Sequence, residues 1–398
     1  MVSFTSITQG IVLVSIVLLG SSSAAPAPGG KAGSSSTPTN DNVTDVAPHA
    51  NATNTASFKL PPLISSRTRP ASHPEFAGNL QAEAESIERN KQWFIAHGGN
   101  FNNITKRDDS NTVGGMTLDL PENAPPIFST EKKGSVINAS SAQIKDFKFH
   151  AALSASGYCR GVVPLGSWSC EQCLKYIPDG KLIVTFTTLL SDSNGYVLRS
   201  DAQKTIHLVF RGTNSIRNAV TDLTFGLTNY PPVKGAKVHT GFLASYNEVV
   251  GKFFPSIQAQ LTAYPNYKVV VSGHSFGGAQ ALLAGMDLYQ REKRLSSKNL
   301  SIYTVGCPRV GNPAFAYYVD STGIPFSRSV NKRDVVPHLP PQSFGFLHPG
   351  VEAWTKSSND VQICNSNLET NDCSNTIVPF TSIIDHLTYY DINQGLCL

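Results

Sequence analysis

The feature that most constrains this chain is Gly273-His274-Ser275-Phe276-Gly277, placed directly after the apolar, β-branched run Tyr267-Lys-Val-Val-Val-Ser. A strand that turns into a helix this abruptly has room only for small residues on either side of the serine, and the turn holds the serine Oγ clear of the backbone at the head of the helix. Orphan N–H groups at a helix start favour negative charge, which is what a serine attacking an acyl carbon needs around it. Glycine and serine are common, so the five residues alone are weak evidence, and a glycine-rich turn with an incidental serine is the bland alternative. Context strengthens the stronger reading. Val269 to Val271 supply the buried strand, and Gly278-Ala-Gln-Ala-Leu-Leu-Ala-Gly-Met-Asp-Leu-Tyr-Gln-Arg supplies good helix formers at almost every position that follows.

A length of 398 residues suits two average domains, yet all seven cysteines lie from Cys159 onward. The first part is rich in Ser, Thr, Asn, Ala and Pro with little apolar periodicity, so it is expected to bury no core of its own. Its start differs. Ile11 to Leu19 is an apolar run too short to span a bilayer, and it leads into Ser21-Ser-Ser-Ala-Ala-Pro, so residues 1–25 read as a secretory signal, although Met1 to Gly10 carries no Lys or Arg. No later segment is apolar enough for a transmembrane span, and a soluble, secreted monomer is expected. The net charge of +4 comes with scattered Lys and Arg residues, which argues against nucleic acid as a partner. Sequons at Asn42, Asn51, Asn103, Asn138 and Asn299 fit a secretory route. Lys106-Arg107, followed by Asp108-Asp109, is a dibasic pair in a polar stretch and marks a propeptide over 26–107. Lys132-Lys133 is an alternative cut that would extend the propeptide to 133, leaving 134–398 as the catalytic domain. Within the propeptide, Leu80 to Phe94 reads as one amphipathic helix, either a solvated spacer or a folding assistant.

From about Ser140 onward, strand-like and helix-like runs alternate, which predicts an α/β domain with helices on the faces of a sheet. Leu182 to Leu190, Ile206 to Phe210, Ser301 to Val305 and Phe326 to Val330 are the clearest strands, and Tyr317 to Ser321 a helix end. Partners of Ser275 should then follow it in the order acid, then histidine. Asp334 is the favoured acid, because it follows the strand Phe326 to Val330 and precedes Val335-Val-Pro-His-Leu-Pro-Pro, where prolines fix the backbone. Asp287, Asp360 and Asp372 are expected on the surface. Among His338, His348 and His386, the last is preferred: its apolar neighbours in Ile383-Ile-Asp-His-Leu-Thr-Tyr-Tyr can bury and hold the ring, whereas the other two sit among prolines as loop residues. Asp385 is not expected to orient His386, since adjacent side chains point apart. Asp334 would accept from His386 Nδ1–H, leaving Nε2 to take the serine proton.

Phe210-Arg-Gly-Thr, Gly273-His-Ser-Phe-Gly-Gly, Gly306-Cys-Pro-Arg-Val-Gly-Asn-Pro, Arg333-Asp-Val-Val-Pro and Asp385-His-Leu occur in this order. Together they resemble the secreted triacylglycerol lipases of filamentous fungi, of the Rhizopus and Rhizomucor type (class 3), which are made as prepro-proteins. The resemblance covers the last two-thirds of the chain in detail and the leader in layout. It implies an α/β-hydrolase-type, predominantly parallel central sheet with helices on both faces and a mobile helical lid. It also implies hydrolysis of glyceride esters at a lipid–water interface without cofactor or metal. A secreted esterase or phospholipase on the same scaffold, or a catalytically silent lipid-binding relative, are the alternatives.

The same resemblance assigns Thr213 and the backbone N–H of Phe276 to the oxyanion hole. Phe276 departs from the Leu common at this position, and its bulk would narrow the acyl groove. Ile216, Ala219, Val220 and Leu223 recur at helical spacing opposite Arg217, Asn218, Thr221 and Asp222, and correspond to the lid; an ordinary surface helix is the bland reading. Phe225, Phe242, Val336 and Leu387 would line the acyl site by analogy. The family's pattern pairs Cys159 with Cys397, Cys170 with Cys173, and Cys364 with Cys373. Cys170-Glu-Gln-Cys173 alone would also suit redox chemistry or zinc, but no second such pair or His cluster accompanies it. Cys307 is left over as a small buried residue.

Overall fold

The computed structural model describes residues 58–70, 82–106, 111–127, 136–188 and 191–397. The signal segment, Asn42, Asn51, Arg107 and Lys132-Lys133 lie outside them. Five parallel strands form the middle of a nine-stranded sheet: Thr205–Arg211, Lys268–His274, Leu300–Val305, Phe326–Asn331 and Val351–Ser357. Antiparallel strands extend both edges, Asn194–Ser200 and Lys181–Thr187 on one side, Asp360–Cys364 and Val136–Asn138 on the other. The central strands read as nearly unbroken apolar runs because both of their faces are covered. Ile206, Leu208 and Phe210 pack with the helices Thr240–Ala263 and Phe276–Arg291. Val209, one residue out of phase, packs instead with Leu153 of the helix Ser141–Ser156. That helix opens with a reciprocal cap: Ser140 Oγ accepts from Gln143 N at 3.3 Å, and Gln143 Oε1 accepts from Ser140 N at 2.9 Å.

The described part of the leader region is docked on the catalytic body. Its helix, Ala82–Ala96, turns a largely polar stripe inward: Glu83, Ser86, Asn90 and Phe94 are all buried. Asn90 Nδ2 donates to Thr376 O at 2.8 Å and Val378 O at 2.6 Å, and the ring of Phe94 lies 4.9 Å from that of Phe380. Glu83 accepts from Gln342 N at 2.7 Å and sits 3.0 Å from the guanidinium of Arg309, which also holds Glu369 at 2.7 Å. The solvated-spacer reading is therefore corrected, since a helix with such partners is a docked element. Further along, Met116 and Leu118 are fully buried in one cluster with Ile216, Val220, Val335 and Val336.

One expectation about surface residues changes. Asp287 is buried, because Tyr246 donates to it at 2.8 Å and Arg291 pairs with it at 2.6 Å one helical turn on. His338 and His348, read as loop residues, are sealed inside beside the Arg309 cluster. Asp360 is exposed and Asp372 half-buried.

Burial keeps His150, His274 and His348 neutral with pKa values well below the usual imidazole range, and lowers His207 to about 4 and His338 to about 3. The unfolded chain takes up these protons near pH 6.5 while the folded chain does not, so the stability they confer is complete above pH 6.5 and lost as pH falls toward the folded values. His207 alone should account for about 3 kcal/mol between pH 6.5 and 4. Thermal unfolding midpoints should fall steadily from pH 7 to pH 4, and a flat profile would contradict neutral burial of these rings.

Candidate active site

The elbow is tight for a measurable reason. A Cβ on Gly273 would stand 2.1 Å from Gly277 O, and one on Gly277 would stand 2.5 Å from Arg211 O. Ser275 between them adopts φ 58° and ψ −131°, a backbone conformation that side chains rarely tolerate and that only a well-packed surround can hold. The hydrogen bond from Ser275 N to Val305 O, 2.9 Å, fixes the turn to the neighbouring strand end.

Asp334 and His386 come from two loops that are stitched together. Ser382 N donates to Arg333 O at 2.7 Å, Val335 N to Ser382 O at 3.2 Å, and Asn331 Nδ2 to Asp385 O at 2.9 Å. The result is a bond of 2.7 Å between His386 Nδ1 and Asp334 Oδ2, with both side chains fully buried. A carboxylate accepts, so in the neutral ring Nδ1 carries the proton and Nε2 the lone pair; among the described residues Nε2 is buried without a hydrogen-bond partner. Asp334 Oδ1 accepts from Val336 N at 2.8 Å, and Oδ2 accepts a second bond from the hydroxyl of Tyr389. Asp385 turns away and accepts from Arg333 N at 3.2 Å, and burial raises its pKa.

His274, beside the serine, completes the support. Its Nε2 lies 3.2 Å from His386 O, a pure acceptor, so Nε2 donates and Nδ1 accepts the hydroxyl of Tyr158 at 2.7 Å. Its ring is tilted by 30° to the His386 ring, with their centres 4.5 Å apart. Gly306 joins the two halves: it follows Val305, which binds Ser275 N, and a Cβ on it would strike His386 Cε1 at 2.7 Å. Ser275 and the His386–Asp334 pair are thus seated against the same strand end.

Thr213 is brought to the serine by the turn at Gly212, where a Cβ would meet Ser275 Cβ and His274 O, each at 2.9 Å. Thr213, Ser275 and Phe276 line one small cavity of about 50 Å³, roofed by Ile216, Ala219, Val220 and Leu223 and walled by Phe242 and Val336. The roof helix, Ile216–Thr221, buries Ile216 and Val220 and exposes Arg217, Asn218 and Thr221. A second cavity of about 340 Å³ adjoins it across Phe242 and Phe276, whose rings stand 5.7 Å apart, and reaches His239 and Glu248. Phe225 and Leu387 do not line these spaces. They pack against the roof cluster, with Phe225 edge-on to Phe344 at 5.0 Å.

The three disulfides expected from the resemblance are present: Cys159–Cys397, Cys170–Cys173 and Cys364–Cys373. Cys170 lies within 4.8 Å of the first bridge, but all three sulfurs there are oxidised, so no thiolate is available to a metal. Cys307 is free and buried, and burial pushes its thiol up to about 12, which removes it as a nucleophile at neutral pH.

Residues 207–344, which hold Ser275, Thr213, the roof helix and Asp334, match the family described as lipase (class 3). The lipase of Rhizopus oryzae is 61% identical over 100% of both chains. The chain belongs to the class 3 lipases. It is accordingly a carboxylic ester hydrolase. Among solved structures, the native Rhizomucor miehei lipase propeptide complex aligns with this lipase at 48% identity and a TM-score of 0.74, covering 85% of this chain and 100% of that one. A triacylglycerol lipase whose catalytic centre is described as a serine protease triad is 55% identical, with a TM-score of 0.65 over 66% of this lipase and 100% of that chain. No helix among the described residues of the lipase is long and apolar enough to cross a membrane.

Tyr389, Tyr158 and His274 are the site residues that sequence reasoning missed. Tyr389 stands three positions after His386, a spacing visible in Asp385-His-Leu-Thr-Tyr, but its contact with Asp334 depends on a chain reversal that no local pattern announces.

Proposed function

We propose that the protein hydrolyses triacylglycerol through Ser275, His386 and Asp334, acting as a secreted monomer at lipid–water interfaces. Nε2 of His386 takes the hydroxyl proton as Ser275 Oγ attacks the ester carbon, and the buried Asp334 carboxylate stabilises the imidazolium that forms. The Thr213 and Phe276 N–H groups receive the oxyanion, the imidazolium returns its proton to the leaving glyceride alkoxide, and water cleaves the acyl-enzyme by the same route. Residues 1–25 serve as the signal and 26–107 as a propeptide removed after the dibasic pair. No cofactor enters this scheme.

The observation that carries the substrate class is the apolar roof lying directly over Ser275. A soluble ester would gain nothing from such a cover. The helix hides its apolar face on Ser275 in water, and an oil surface offers that face an alternative partner, so opening is favoured only there. The rate on a short-chain triglyceride is expected to rise abruptly as concentration passes the solubility limit. A smooth hyperbola through that limit contradicts a working lid.

A further inference from the structure

The helix Phe276–Arg291 has the nucleophile turn at its first residue, and its other end, about 24 Å away, has a partner of its own. The last carbonyls of any helix lack intrahelical donors and carry partial negative charge. Here a short leader segment supplies the donors. Arg67 Nη1 donates to Tyr289 O at 2.7 Å, Leu295 O at 2.8 Å and Glu292 O at 3.2 Å, and Nη2 to Lys293 O at 3.3 Å. Its guanidinium carbon lies 4.7 Å from the centre of the Tyr289 ring. Ile64 N donates to Gln290 O at 2.8 Å, and the hydroxyl of Tyr318 donates to Arg67 O. Tyr318 is itself tied to Gln290 Nε2 at 2.7 Å.

We propose that this turn is a guanidinium-binding site of the catalytic body, built from four backbone carbonyls and one aromatic face, and filled in the intact chain by Arg67. The chemistry is selective. A planar fork can address several carbonyls at once while lying over a ring, whereas an ammonium is a single point charge that meets fewer of them. All the carbonyls belong to residues 289–295 and the ring to Tyr289, so the site persists when the leader is absent and can then take an arginine side chain from solution. Hydrolysis at Ser275 and the site of leader removal do not enter this assignment.

Hydrogen exchange on the full chain tests it. In Arg67→Ala, the amides of Ile64, Glu292 and Leu295 are expected to exchange at least about tenfold faster, because charge-assisted bonds to the turn are lost. Protection in the leader helix Ala82–Ala96 should be unchanged. Added N-acetyl-arginine amide should restore protection at Glu292 and Leu295, and N-acetyl-lysine amide at equal ionic strength should not. Arg67→Lys keeps the stem and the charge, so it provides the same readout if the alanine variant folds poorly; it too should be rescued only by the guanidinium compound. Unchanged exchange in both variants, or equal effects of the two additives, would overturn the assignment.

Discussion

Ser275→Ala is expected to lower turnover of a soluble short-chain ester by at least about 10⁴-fold, because the histidine and oxyanion donors have no nucleophile left to assist. The thermal unfolding transition and adsorption to triglyceride droplets should both persist, since alanine fits the same turn and the apolar roof is untouched. Titration with a serine-directed phosphonate checks this independently: the intact protein should gain one adduct and the variant none. Retention of more than about a hundredth of the activity would remove Ser275 from the chemistry. Loss of adsorption together with activity would instead point to a disturbed roof or fold in the variant.

Asp334→Asn should come close to the same loss, about 10⁴-fold near neutral pH, for a different reason. Asp334 presents two acceptors to three donors: Val336 N on Oδ1, and His386 Nδ1–H with the Tyr389 hydroxyl on Oδ2. An asparagine has one acceptor oxygen. If that oxygen keeps Val336 N, its amide hydrogens face His386, and the ring satisfies them only by moving its proton from Nδ1 to Nε2. The base is then protonated at the atom that should accept from Ser275. Tyr389→Phe removes one neutral donor from the carboxylate and should reduce turnover only about tenfold. Single-turnover acylation of the three proteins would separate these cases, and equal losses for the two Asp334-centred variants would contradict the tautomer account.

The turn at Ser275 and the loop at Asp334 were legible because they are encoded locally. Small residues around Ser275 announce a turn that larger ones cannot make, and prolines after Asp334 announce a fixed loop. The parallel centre of the sheet was legible from unbroken β-branched runs such as Val269 to Val271. What escaped were polar groups buried by tertiary pairing. Asp287 lies in a good helix-forming stretch and His348 just before Pro349-Gly350, and nothing along the chain reveals that Tyr246 or the Pro337 carbonyl reaches them. The leader helix was legible as a helix, but the choice between spacer and docked element was not, since Glu83 and Asn90 look solvated until Arg309 and the Thr376 and Val378 carbonyls are placed beneath them. Phe225 and Leu387 illustrate the converse: analogy put them in the groove, while in this structure they pack against the cluster that holds Ile216 and Val220 and line neither cavity beside Ser275.

Arg309 has one further consequence. It holds two carboxylates, but Glu369 is its own counterion within the catalytic body, and Glu83 is a visitor from the leader. Burial raises the pKa of Glu83, whereas Arg309 holds Glu369 well below the carboxylate range despite equal enclosure. Detachment of the leader would therefore leave a charge-balanced couple behind and carry the surplus anion out into water. The electrostatic asymmetry would favour such a separation as acidity decreases, with no unmatched ion left beside Arg309.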